Sequence, residues 1–172
     1  MRLFVAINFS EETKARLCDI QRILRSSVKS GRFTDPANLH LTLAFLGECS
    51  QEEVKKVKEA LSSLSFSSFD LVLDRLGCFR RNSGDLWWAG VKLTQMLQDL
   101  QADVAKCLST SGFILETRDY KPHVTIAREV SGKYYFRDPV RINETVCAFD
   151  LMKSERINGR LTYTSIAHFD SV

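Results

Sequence analysis

A chain of 172 residues, 44% apolar and 26% charged, is long enough for one domain with a substantial core and ordinary for a globular protein. No apolar run approaches the roughly 18–20 residues that span a bilayer, and a net charge of +3 admits an anionic substrate while arguing against a grip on long duplex nucleic acid. Five scattered cysteines (18, 49, 78, 107 and 147), none in a C-x-x-C pair, argue for reduced thiols and against a disulfide framework or a zinc cluster.

In chain order, Arg2–Phe9 reads as a strand apolar enough to be buried on both faces. It lacks the long apolar segment and cleavage site of a signal peptide, so a cytoplasmic protein is expected. Ser10 before Glu11 and Glu12 is a helix start. Leu17, Ile20, Leu24 and Val28 mark the face of that helix, with Ile23 beside it, until Gly31 ends the run. Thr34–Asn38 is a turn leading into the apolar strand His40–Leu46. Ser50-Gln51-Glu52-Glu53 is a capping box, and Val54, Val57, Leu61 and Leu64 form the stripe of a second helix.

Residues 69–93 read as a hairpin with a loop at Arg80–Asp85. Thr94 caps a third helix with Leu97, Leu100, Val104 and Leu108 on one face. Phe113–Leu115 is expected as a short strand, and Asp119–Pro122 leads into a strand from His123 to about Arg128. Lys133–Asn143 has no clear pattern. Val146–Lys153 and Leu161–Phe169 alternate in polarity around Asn158-Gly159, another hairpin. Strands alternate with helices, but the hairpins favour an antiparallel α+β fold over a doubly wound sheet. No linker divides the chain, so residues 1–172 are expected to form a single domain.

Two of the three histidines carry the functional signal. His40 and Thr42 lie two apart on a strand, so both project from one face about 6.6 Å apart, while Leu39, Leu41, Leu43 and Phe45 supply core on the other. The pattern recurs at His123 and Thr125. One such histidine is ordinarily structural, and a threonine in a strand needs no special reason. Two copies in matching contexts point to a site. Each half also runs strand, helix, loop, His-x-Thr strand, which places the motif strands beside each other across a pseudo-two-fold axis.

Two imidazoles titrating near pH 6.5 can deprotonate a water or hydroxyl and protonate a leaving alkoxide, while the hydroxyls bond phosphate oxygens. No carboxylate cluster lies near either motif, so neither metal nor cofactor is expected. His168 lies outside any motif and is expected to be structural. Trp87, Trp88 and Phe9 are candidates for base stacking, although aromatics in such strands are mostly core. Lys121, Arg80 and Arg81 are candidates for attracting an RNA backbone, although turn residues are usually just solvated.

NLHLTLAFLGE around His40 and KPHVTIAR around His123, about eighty residues apart, resemble the paired signatures of the 2H phosphoesterase superfamily. More narrowly, the whole chain resembles the RNA 2′,3′-cyclic phosphodiesterases, also called 2′-5′ RNA ligases. The resemblance implies two pseudo-symmetric lobes of mainly antiparallel sheet with flanking helices around a central cleft. It also implies metal-independent hydrolysis of RNA-terminal or nucleoside 2′,3′-cyclic phosphates to 2′-phosphates by a monomer. In that scheme His40 is the general acid, His123 the general base, and Thr42 and Thr125 hold phosphate oxygens. Arg128 completes an H-x-T-x-x-R pattern and would pair with the phosphate. A regular strand turns position 128 away from His123, so this role requires the strand to end or bulge first. The alternatives are 2′-5′ cleavage or ligation by the same groups, or an RNA-end binding module without catalysis.

Overall fold

The computed structural model describes residues 1–134 and 140–172. Five residues of the unpatterned stretch Lys133–Asn143 therefore lie outside it. The described elements run β1 (Arg2–Asn8), α1 (Glu11–Ser27), β2 (Ser30–Phe33), a 3-10 turn (Pro36–Asn38), β3 (His40–Glu48), α2 (Gln51–Ser62), β4 (Phe69–Phe79), β5 (Asp85–Val91), α3 (Gln95–Thr110), β6 (His123–Ser131), β7 (Ile142–Val146), β8 (Ala148–Ile157) and β9 (Arg160–Asp170). All strand pairings among the described residues are antiparallel, in one sheet ordered β3-β1-β8-β9 and another ordered β2-β6-β5-β4-β7. The fold is α+β, as the hairpins indicate.

The first sheet joins the opening strand to the last two, and the second takes β2 from the N-terminal half. Helix α1 follows β1 yet packs on β2, β6 and β7 of the other sheet. Its Leu17, Ile20 and Leu24 are buried, and the amide of Gln21 donates at 2.8 Å to the carbonyls of both Thr34 and Ile126. Helix α3 packs on β3 and β4, and α2 on α3 and β9. One buried apolar cluster takes residues from both sheets and all three helices.

Each helix starts on the hydroxyl read from the sequence: Ser10, Ser50 with its reciprocal Glu53 bond, and Thr94. At α1 a tertiary contact is added. The buried carboxylate of Glu144 on β7 accepts from the Ser10 hydroxyl at 2.8 Å and from its amide at 3.2 and 3.3 Å.

Several expectations are corrected. Gly31 does not end the helix; it lies inside β2, whose four residues are too short to show a pattern. Val28 is the residue after the last turn, and Ile23 is exposed. Phe113–Leu115 forms no strand: it pairs with no strand among the described residues, and Ile114 is 95% exposed. Val146 ends β7, and Cys147 separates it from β8. The last hairpin closes at Asn158-Gly159, where both residues take positive φ (49° and 79°), so its strands run longer than the polarity pattern shows.

Glu144→Ala leaves the Ser10 hydroxyl and amide without their acceptor and is expected to cost about 1–3 kcal/mol in urea unfolding, with Glu144→Gln losing less.

Candidate active site

The two motif strands sit in different sheets but pack on each other. Tyr120, three residues before His123, joins them by donating its phenol to the Thr42 carbonyl at 2.9 Å. Burial pushes that phenol's pKa well above its ordinary value, so it stays a donor.

The histidines are held alike. His40 Nδ1 lies 2.7 Å from the Asn38 carbonyl, and His123 Nδ1 lies 2.7 Å from the Lys121 carbonyl. A carbonyl only accepts, so Nδ1 carries the proton in each neutral ring and Nε2 keeps its lone pair. His40 Nε2 is 3.0 Å from the Thr42 hydroxyl, which therefore donates to it. His123 Nε2 has no hydrogen-bond partner among the described residues.

Aromatic rings brace both imidazoles. His40 lies 4.9 Å from Phe4 and meets Tyr163 edge-on at 5.3 Å, while Phe79 meets His123 edge-on at 6.1 Å with Trp88 behind it. Burial is the main force lowering the His40 pKa, opposed by the Asn38 bond and reinforced by the positive charges of Arg128 and His123. These surroundings thus favour a neutral His40.

A bulge follows each motif at the same step. Thr42 pairs with Ala6 and Ala44 with Val5, so Leu43 is extra in β3; Thr125 pairs with Trp88 and Ala127 with Trp87, so Ile126 is extra in β6. Two successive residues then face the core, Leu43-Ala44 and Ile126-Ala127, all buried. The parity of the next residue reverses. Arg128 thereby joins the face of His123 and Thr125, the condition its proposed role requires. Phe45 is the corrected residue: expected in the core, it is 56% exposed on the His40 face, its ring 6.2 Å from Phe4.

The structure also sorts the remaining candidates. Phe9 and Trp87 are closed into the core, and Trp88 is half-buried beneath the more exposed Phe79. Arg80 is ion-paired with Asp85. His168 lies in the cross-strand row Thr42, Ala6, Asp150, His168 and bonds Asp150 at 2.9 Å and Asp170 at 3.2 Å. The Asp150 hydrogen bond raises its pKa. Asp150, itself buried, also accepts from Asn8 at 2.9 Å and Ser165 at 2.6 Å, so His168 belongs to a polar network on that face.

Sequence reading passed over Asn38, Tyr120, Phe4 and Tyr163. Asn38 is the informative omission: its side chain donates to the Leu161 carbonyl at 2.8 Å and accepts from the Tyr163 amide at 3.2 Å, tying β9 to the turn that holds His40. An asparagine two residues after Pro36 suggests only a turn. Among the described residues no three His, Cys, Asp or Glu side chains converge as a metal site.

Antiparallel sheets carrying paired His-x-Thr strands define a 2H phosphoesterase. The chain belongs to the LigT-like phosphoesterases: the sequence model of the LigT like Phosphoesterase family matches residues 7–88. The RNA 2′,3′-cyclic phosphodiesterase of Archaeoglobus fulgidus is 34% identical, over 74% of this chain and 72% of that protein. The Escherichia coli protein of the same name is 30% identical over 96% of this chain and 93% of its own length. The crystal structure of E. coli LigT complexed with 3′-AMP matches with a TM-score of 0.86 at 27% identity, over 99% of this chain and 97% of that one.

Asn38→Ala orphans the Leu161 carbonyl and the Tyr163 amide. It is expected to cost about 1–3 kcal/mol in urea unfolding and to lower kcat by loosening the carbonyl that orients His40.

Proposed function

We propose that the protein opens RNA-terminal or nucleoside 2′,3′-cyclic phosphates to 2′-phosphates without a metal ion. The observation that carries this reading is the pair of imidazoles whose Nδ1 is committed to a backbone carbonyl, which leaves the Nε2 lone pair for proton transfer; at His40 it accepts from the Thr42 hydroxyl, and at His123 it has no partner among the described residues. The names of the relatives point to the same reaction.

In the proposed reaction, His123 Nε2 takes a proton from water as the water oxygen bonds to phosphorus. The bond from phosphorus to O3′ breaks, and protonated His40 Nε2 gives its proton to the departing O3′. Thr42, Thr125 and Arg128 bind the non-bridging oxygens, where negative charge accumulates. Burial makes protonated His40 a stronger acid and also a scarcer one. The anionic substrate offsets the Arg128 charge and so favours protonation once bound. With the 5′ hydroxyl of a second RNA in place of water, O5′ bonds to phosphorus as O3′ departs and a 2′-5′ linkage forms; in the reverse step O3′ attacks that linkage, O5′ departs and the cyclic phosphate returns.

The two halves of the site come from one chain, which supports a monomer. Five free cysteines support a reducing cytoplasm. No helix among the described residues is long and apolar enough to cross a membrane.

With an oligonucleotide ending in a 2′,3′-cyclic phosphate, the expected product is the 2′-phosphate, formed undiminished in EDTA. Loss of either proton carrier in His40→Ala or His123→Ala is expected to lower kcat by about 10²–10⁴-fold, and full activity in either variant would refute the scheme.

The pH profile tests whether His40 moves a proton. The kcat/KM profile reports the free enzyme, so one limb is expected to break at the His40 pKa, which burial holds below its ordinary 6.5. Arg128→Met removes a positive neighbour, raises that pKa and is expected to move the same limb upward. A profile whose limbs both stay in place would remove His40 from proton transfer.

A further inference from the structure

Beside Arg128, and not lined by either histidine, lies a cavity of about 140 Å³. Its wall includes Arg32, Arg81, Arg128, Ser83, Gly84 and Glu129. Three arginines and one glutamate thus line it. Glu129 is ion-paired with Arg32, whereas Arg81 and Arg128 have no carboxylate partner among the described residues. The wall is therefore net positive, and two forked donors remain uncommitted.

The arginines are brought together by backbone rather than by chance. Arg32 pairs directly with Arg128 across β2 and β6, so both project from the same face as Thr125. The loop between β4 and β5 is locked onto a second irregularity of β6, where Ala127 pairs with Trp87 but Val130 with Asp85: Glu129 takes φ 54°, and a Cβ on Gly84, itself at φ +104°, would meet the Glu129 carbonyl carbon at 2.6 Å. A non-glycine residue persists in the left-handed region only where its surroundings impose it. This close approach seats Arg81 opposite Arg32 and Arg128.

Resting on the reading of the site as a cyclic phosphodiesterase, we propose that this cavity is a second phosphate subsite, which receives the 5′-phosphate of the terminal nucleotide. Arg128 stands between the two subsites: it lines the cavity, and its charge is also felt at His40. A cyclic phosphate on O2′ and O3′ and a 5′-phosphate are separated by one ribose, so a nucleotide placed between them engages both. The subsite would make the enzyme prefer ends of a polynucleotide, or nucleotides with a 5′-phosphate, over bare nucleoside cyclic phosphates.

The test measures kcat and KM for three substrates: a nucleoside 2′,3′-cyclic phosphate, the same compound carrying a 5′-phosphate, and a trinucleotide with that nucleoside at its cyclic end. A charge-assisted contact is expected to raise kcat/KM about tenfold for the second and third over the first, mainly through KM. Arg32→Ala and Arg81→Ala are each expected to remove most of that ratio, and rising salt to shrink it. Arg81 lies in an exposed loop, so its variant keeps the test valid if Arg32→Ala unfolds. Equal rates on all three substrates, or a preference that survives both substitutions, would overturn the subsite and leave the cyclic phosphodiesterase reading intact. No turnover of any cyclic phosphate would overturn that reading itself.

Discussion

The site depends on where each histidine commits its Nδ1 proton. A carbonyl two residues upstream accepts it at both positions, and this single bond sets the tautomer, the ring plane and the direction of Nε2. The two carbonyls are themselves held by different means. Asn38 closes a 3-10 turn and is stapled to β9, whereas Lys121 precedes Pro122 and lies next to Tyr120, which bonds Thr42. Each imidazole is thus oriented by backbone that the rest of the fold has immobilised, which is what positioned proton transfer requires.

Interleaving of the chain supplies that rigidity. The first sheet needs the C-terminal strands and the second needs β2 from the N-terminal half, so neither sheet is complete until distant segments have met. Glu144 on β7 holding the start of α1, and Gln21 on α1 holding carbonyls of the Thr34 turn and of β6, are polar contacts that make this exchange specific. Because such groups are buried or partly buried, misplacing them would leave charge or amide unsatisfied, a penalty that apolar packing alone does not impose.

Helix caps, stripes and the histidine pair were legible because they rest on local rules: a hydroxyl before a helix, a spacing of three and four, a period of two. What the sequence hid was set by neighbours. The four-residue β2 is defined by its pairing with β6, and the length of the last hairpin by its two-residue turn. Phe45 shows the mechanism most clearly. Period-two reading placed it in the core, and a bulge at Leu43, visible only against β1, turned it out. The same slip in β6 is what permits Arg128 to face the site, so one device accounts for one wrong face and one conditional one.

That device also breaks the symmetry of the site. HLTLAF and HVTIAR match residue for residue in role up to the last position, where Phe45 stands opposite in sequence to Arg128. A symmetric scaffold with two equivalent imidazoles offers no reason for one to donate and the other to accept. An arginine on one side breaks the equivalence: its charge adds to the burial that holds half-buried His40 below its ordinary pKa, and it contributes to the positive wall beside β6, while the other side presents an apolar ring. Under the proposed function, phosphate charge is drawn toward Arg128 and apolar substrate surface toward Phe45. In the proposed reaction this polarity orients the nucleotide, and the orientation decides which oxygen departs beside which histidine.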